Sequence, residues 1–236
     1  GRTGNYDKGI SYAEQSVAIF RELNKQVELA GALHTLAVVV SEDGDEKRAK
    51  YLYLEALALN RDFGNKSEIS TLTIELGWTV IQGGEFDQGF SMLDEGIRLK
   101  KELGNLHEIA YAQFVFGICR WIHHEPDESE KWLRESLRTM HEVDDNFFTT
   151  TCIVGLAGVA SSRKQFTRAA QLMGAADSLR DKIQFTDPPF WIRDIKGPIM
   201  ESIHAQLNEA KFDKAWNKGY AMDMEKAIAF ALEEIR

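Results

Sequence analysis

His123-His124-Glu125 is the most metal-like donor set in the chain, two imidazoles and a carboxylate in a row. Adjacent histidines without distant partner donors are a weak metal signal. This run stands immediately before Pro126, where a turn is expected and polar residues keep the surface solvated, so we read it as structural. The carboxylates Asp94, Glu95, Glu128 and Glu130 recur at the outward spacings of helices, the ordinary pattern of a solvated face. General acid–base chemistry would need two such groups held around a pocket that shifts their pKa values, and the spacing provides no such pair. Cys119 and Cys152 fall inside expected helices with no CxxC spacing, which points to reduced thiols and a cytoplasmic setting. Phosphate loops, nucleophile elbows, HExxH and GxGxxG patterns are all missing from the sequence. The expectation is therefore no catalytic residue, no metal and no cofactor, and a chain whose chemistry is recognition.

The elements that would position a binding surface are visible as a repeat. Residues 21–30, 61–70, 101–110 and 141–150 read RELNKQVELA, RDFGNKSEIS, KELGNLHEIA and HEVDDNFFTT, a period of 40 with no gap. The register continues between these blocks: Gly4, Gly44 and Gly84 align, as do Gly9, Ala49, Gly89, Ser129 and Ala169. Such periodicity marks an array of units that bury their apolar faces by stacking on one another. Each unit reads as two helices, the pairs being 28–41 with 45–63, 68–82 with 85–103, 108–122 with 126–143 and 147–161 with 165–182. An orphan second helix at 6–23 precedes them. The chain thus starts partway through a unit, as expected of a piece of a longer protein.

Small residues stand where paired helices must approach: Ala37, Gly77, Gly117 and Ala157 in the first helices, Ala49, Gly89, Ser129 and Ala169 in the second. A large apolar residue directly precedes each small one of the first helices, as in Leu36-Ala37, Leu76-Gly77, Phe116-Gly117 and Leu156-Ala157. This pattern resembles the tetratricopeptide repeat over residues 1 to about 184. The resemblance implies an all-α, right-handed α-solenoid of TPR-like helix pairs. Because 40 exceeds the usual 34 residues, the second helices should run about a turn and a half longer. It also implies that first helices line a concave groove. Carrying the period along them nominates His34, Ile74, Trp78, Ile81, Phe114, Ile118 and Trp121, with Tyr111, Glu75 and Arg120 beside them. Val38, Ser41, Val154, Gly158 and Ser161 complete the same register. An aromatic groove of this kind suits a peptide or protein segment or a small-molecule effector. The competing reading makes these aromatics core between repeats, or a surface that the tail covers.

After Ile183 the rhythm ends. Pro188-Pro189 marks a connector, and helical pattern returns at 192–207, 212–220 and 223–234, where Asp223 is a candidate N-cap. Domains are expected at 1–184, the repeat array, and 185–236, a helical cap. The run RAAQLMGAADSLRD at 168–181 with FDKAWNKGYAMDMEKAIAFALEE at 212–234 resembles the closing segment of bacterial signal-transduction ATPase regulators of the MalT-like and LuxR types. Ala215-Trp216, Gly219, Met224-Glu225 and Ala227 carry that resemblance. It implies a sensor array attached to upstream domains of the parent chain, in a transcriptional or signalling regulator. The alternative is a scaffold for self-association or partner docking.

Charge narrows the partners. Lys and Arg total 28 against 37 Asp and Glu, a net −9 that repels a phosphate backbone, so direct nucleic-acid contact is not expected. No apolar run approaches the roughly 18 residues of a membrane span.

Overall fold

The structure is a computed structural model that describes residues 6–183 and 190–233, the first five of the latter stretch by backbone alone. Among the described residues there are twelve helices and no strand. The helices are α1 (Tyr6–Glu22), α2 (Gln26–Asp43), α3 (Glu46–Phe63), α4 (Lys66–Gln82), α5 (Phe86–Leu103), α6 (Leu106–Ile122), α7 (Pro126–Glu142), α8 (Asn146–Ser162), α9 (Phe166–Lys182), α10 (Phe190–His204), α11 (Glu209–Tyr220) and α12 (Met224–Ala231). The Pro188-Pro189 connector lies outside the described residues.

Turns fall at Asn24, Gly44, Gly64, Gly84, Gly104, His124, Asp144 and Lys164, all with φ between 52° and 95°. The geometric period is therefore 20 residues, half the sequence period. Seven of these turns share one closure. Asp45, Glu85, Glu125 and Gln165 donate their N–H to the carbonyls of Val40, Val80, Arg120 and Ala160, five residues back. These bonds satisfy the last carbonyls of a helix as it ends. Asp45, Asn65 and Asp145 then cap the next helix by accepting from the N–H of Arg48, Glu68 and Phe148. A consequence corrects the expected helix lengths. First helices have 17 or 18 residues and second helices have 17 or 18, so the residues beyond 34 are shared between both rather than added to the second.

The helices form two compact units, Gly1–Asn105 and Leu106–Arg236, each with consecutive helices packed in pairs. In the first unit α1 to α5 enclose a core of Leu33, Leu36, Tyr53, Leu57, Leu72 and Leu76. The small residues sit where the register puts them: a Cβ on Gly77 would stand 3.0 Å from the carbonyl oxygen of Gly89. In the second unit α8 is buried without interruption from Thr149 to Ser161, because α6, α7, α9, α10 and α12 all pack on it. The tail joins this unit. α11 lies on α9 at backbone contact, where a Cβ on Gly174 would be 2.3 Å from the carbonyl oxygen of Trp216 and one on Gly219 1.9 Å from that of Gln171. Asp223 caps α12, accepting from the N–H of Lys226 at 2.9 Å. At the other end of α12, Arg168 donates to the carbonyl oxygens of Phe230 at 2.7 Å and Glu233 at 3.1 Å, while its guanidinium stands 4.5 Å from the Phe230 ring. Arg134 donates to the carbonyl of Leu232. Cations at carbonyls that a helix end leaves unsatisfied are favourable, so two arginines fix the tail.

Candidate functional site

The nominated first-helix residues separate into interior and surface. Ile74, Ile81, Phe114 and Ile118 are buried, at 3% exposure or less. Their side chains fill the space left by small neighbours: Ile74 lies over Gly96, Ile81 over Gly89 and Ile118 over Gly155. They hold helices together, and a ligand would reach them only by displacing that packing. His34, Trp78, Tyr111, Arg120 and Trp121 are half-buried and retain surface.

In the second unit the aromatics converge on the junction between α6 and α8. Phe148 receives Tyr111 at 5.4 Å, His107 at 6.0 Å and Phe114 at 6.2 Å between ring centroids, all edge-on. Such perpendicular contacts suit the ring quadrupoles. His107 also meets Asp145 at 2.8 Å, the residue that caps α8. Trp121 donates from Nε1 to Ser162 Oγ at 2.9 Å, and its ring lies over Gly158, where a Cβ would come within 2.9 Å of it. Neither His107 nor Phe148 is among the nominated residues. The signal for Phe148 was present, because the period places Glu28, Glu68 and Glu108 at its register and only Phe148 breaks the series.

α10 lies on this same face of α8. Ile199 reaches Gly158, Ser202 Oγ is 3.0 Å from Ser161 Oγ, and Ile195, Ile199 and Ile203 are buried. Lys196 of α10 pairs with Asp177 of α9 at 2.7 Å, and Arg180 meets the same carboxylate at 2.9 Å. These groups edge a cleft with Thr150 and Val154. A chain-internal helix thus occupies the register positions Gly158 and Ser161 of the first-helix face.

The first unit has polar groups at that face. His34 Nδ1 is 3.6 Å from Glu68 Oε2, and its ring centroid is 6.1 Å from that of Tyr53. Burial lowers the His34 pKa, with Glu68 opposing. Tyr53 donates to Glu75 Oε2 at 3.3 Å. Burial pushes Glu75 up to about 6; Tyr53 and Lys100 oppose the rise and Glu42 adds to it. Val38, Thr71 and Trp78 are half-buried alongside.

At the His123-His124-Glu125 turn, Arg120 Nη1 donates to Glu125 at 2.6 Å and His123 Nδ1 is 2.9 Å from the same carboxylate. The Arg120 hydrogen bond holds Glu125 below the usual carboxylate range. His124 is the turn residue with φ 61°. With the Arg120 guanidinium and the His123 ring both on the Glu125 carboxylate, these residues make a closed turn, not a three-donor cage. Among the described residues no group of three or more His, Cys, Asp or Glu is arranged to hold a metal, and no helix is long and apolar enough to cross a membrane. Cys119 and Cys152 are buried; burial raises both thiols, Cys152 to about 12, far from the reactive range.

Paired helices of equal length, turned every 20 residues and meeting through small side chains, define a TPR-like helical repeat protein. The tetratricopeptide repeat family matches residues 1–62. Among solved structures, BtubC (BKLC) from P. vanneervenii is similar in fold, with TM-score 0.67 and 15% identity over 99% of this chain and 96% of that one. The nearly identical TPR-like repeats of a candidate kinesin light chain from Podosopora anserina are similar at TM-score 0.58, with 14% identity over 78% of this chain and 90% of that one. A variant of those same repeats reaches TM-score 0.60 at the same identity and coverage. No curated protein matches by sequence.

Proposed function

We propose that this chain is a non-enzymatic protein-interaction module whose first-helix face in the first unit, around His34, Val38, Glu75 and Trp78, takes a helical or extended segment of a partner protein. The observation that carries this reading is α10. In the second unit the equivalent register is already filled by a helix of the chain itself, through Ile199 on Gly158 and Ser202 on Ser161. A face that accepts a helix in one repeat is suited to accept one in another, and helix-in-groove recognition needs only such an apolar strip with polar edges. The finer reading is a sensor or effector-binding region of a larger bacterial transcriptional or signalling regulator. Its support is the segment 168–181 with 212–234, whose Gly174, Trp216 and Gly219 are the residues that seat α11 on α9. An effector would act there by binding two states of the parent unequally.

The test compares two tryptophans. Trp78→Ala is expected to leave the melting temperature within a few degrees while abolishing the rise that a bound partner peptide or effector produces. Trp121→Ala is expected to lower the melting temperature outright, since it removes the packing on Gly158 and the bond to Ser162, a loss on the order of 3 kcal/mol. Equal destabilisation by both would return Trp78 to the core and end the proposal for that face.

A further inference from the structure

Along α3, the second helix of the first full pair, an outward strip is apolar: Tyr51 is 75% exposed and Leu54 41%, with Ala58 exposed a turn further on. The 40-residue period carries these three positions to Ser91, Asp94 and Arg98 in α5 and to Lys131, Arg134 and Arg138 in α7, polar side chains throughout. In α9 the same register holds Gln171, Gly174 and Ser178, and there α11 lies on it, Trp216 against Gly174 and Gly219 against Gln171. This face of a second helix therefore takes a helix within the chain itself. The strip on α3 has neighbours on both flanks. Arg48 pairs with Glu14 and Glu55 with Arg21 of α1, while on the other side Lys50 reaches Glu85, the residue that opens α5, at 2.7 Å. Between these ion pairs Lys47, Tyr51, Leu54, Ala58 and Arg61 follow one another at alternating spacings of four and three, the seam of a helix pair. Two charges on this helix oppose its own dipole: Lys47 stands in the first turn and Asp62 in the last, and neither side chain forms an ion pair among the described residues.

We propose that this strip pairs with the same strip on a second copy of the chain, the two α3 helices antiparallel about a two-fold axis level with Ala56. Self-complementarity selects this occupant. The axis sets Leu54 of one copy on Ala58 of the other, Tyr51 under Arg61, and Lys47 within reach of Asp62, each contact made twice. Large meets small at the centre, a guanidinium covers a ring, and each charge that opposes its own helix end meets the opposite charge and the opposite helix end of the other copy. A parallel pairing would instead set Lys47 on Lys47 and Arg61 on Arg61. This strip belongs to a second helix and is separate from the first-helix face around Trp78, so self-pairing and partner binding fail or succeed separately.

Sedimentation velocity of the chain from micromolar to submillimolar concentration provides the test. The expected result is a concentration-dependent monomer–dimer equilibrium that Tyr51→Lys removes by setting an ammonium against Arg61, with helicity and melting temperature of the dilute monomer unchanged because Tyr51 is exposed. Lys47→Glu alone and Asp62→Lys alone should each weaken association by roughly tenfold, and the double exchange should restore it, since together the exchanges regenerate both cross-copy pairs. Each exchange also places a charge at the helix end that favours it, so lost association in either variant does not come from a weakened α3. Trp78→Ala should leave association unchanged. A chain that stays monomeric throughout would overturn the proposal. So would a dimer indifferent to Tyr51→Lys, or one in which the double exchange is no better than either single one.

Discussion

At matching register, α1 of the first unit leaves Tyr12 and Ile19 exposed while α9 of the second buries Leu172 and Leu179. The residue types differ little. What differs is the neighbour: α9 has α8 on that side, whereas among the described residues α1 packs mainly on α2. The junction between successive first helices shows a second contrast. His34 faces Glu68 between α2 and α4, and one repeat pair later Phe114 faces Phe148 between α6 and α8. One unit closes its junction with titratable groups and the other with rings. The second unit is further sealed by α10, α11 and α12, so its equivalent surface is spent on its own chain. The comparison teaches that availability for a partner is set by which neighbours are present rather than by the hydrophobicity of a helix considered alone.

The contrast is broken most severely at the contact of α9 with α11. Gly219→Ala would put a methyl 1.9 Å from the Gln171 carbonyl oxygen, and Gly174→Ala would put one 2.3 Å from that of Trp216. Backbone cannot yield as a side chain does, so either substitution is expected to cost about 3 kcal/mol or more by overpacking. Loss of amide-exchange protection in α11 and a lower melting temperature would report it. In the first unit Gly9→Ala meets only a methyl of Val39 at 3.2 Å and should be nearly silent. If Gly219→Ala were as mild as Gly9→Ala, the second unit would not be sealed as described.

This contact also measures what sequence could reveal. The 40-residue period located helices α1 to α9 to within two residues at each end, because turn residues and apolar spacing are local signals. Ala215-Trp216 and Gly219 stood out as a pattern, but their purpose is a backbone approach to Gln171 and Gly174, and nothing local in the sequence says which helix will arrive. The groove candidates divided for the same reason. Ile74, Ile81, Phe114 and Ile118 share a helical register with Trp78, and a few tens of degrees of rotation about the helix decide whether a side chain enters the pair interface or faces outward. The helix lengths were misjudged because the sequence repeats every 40 residues while the turns repeat every 20, and Asn, His, Asp and Lys stand in for glycine at half of them.

A smaller effect separates the units through pH. Glu75 has Val115 and Gly155 at its register in the second unit, so only the first unit keeps an acid there. Its pKa is raised to about 6, with desolvation by burial as the leading cause and the Tyr53 hydroxyl and Lys100 opposing it. A carboxyl with a raised folded-state pKa favours its protonated form in the fold. Its stabilising contribution is complete below the ordinary carboxyl pKa and is lost as pH rises through about 6. Glu75→Gln, which keeps an oxygen for Tyr53, should therefore gain stability relative to the parent as pH rises from 5 to 7, by on the order of 1–2 kcal/mol. Paired denaturation curves across that range would show the difference opening near pH 6. A constant difference would mean that Lys100 compensates the buried charge fully.

The smallest expected effect lies in the turns. The first unit makes them with Asn24, Gly44, Gly64, Gly84 and Gly104, the second with His124, Asp144 and Lys164, all in the left-handed region. There the Cβ of an ordinary residue crowds the following carbonyl at a cost of about 1 kcal/mol, which Asn and Asp soften and His and Lys do less well. Both His124 and Lys164 are exposed, so their side chains return little in packing. His124→Gly and Lys164→Gly should each add roughly 0.5 kcal/mol of stability, read as a higher denaturation midpoint with an unchanged denaturant slope, the relief of strain exceeding the added freedom of the unfolded chain. Gly84→His should lose a comparable amount. A neutral His124→Gly alongside a stabilising Lys164→Gly would show that the imidazole contributes to its turn in a way that a lysine does not, and would reopen the question of what that side chain holds.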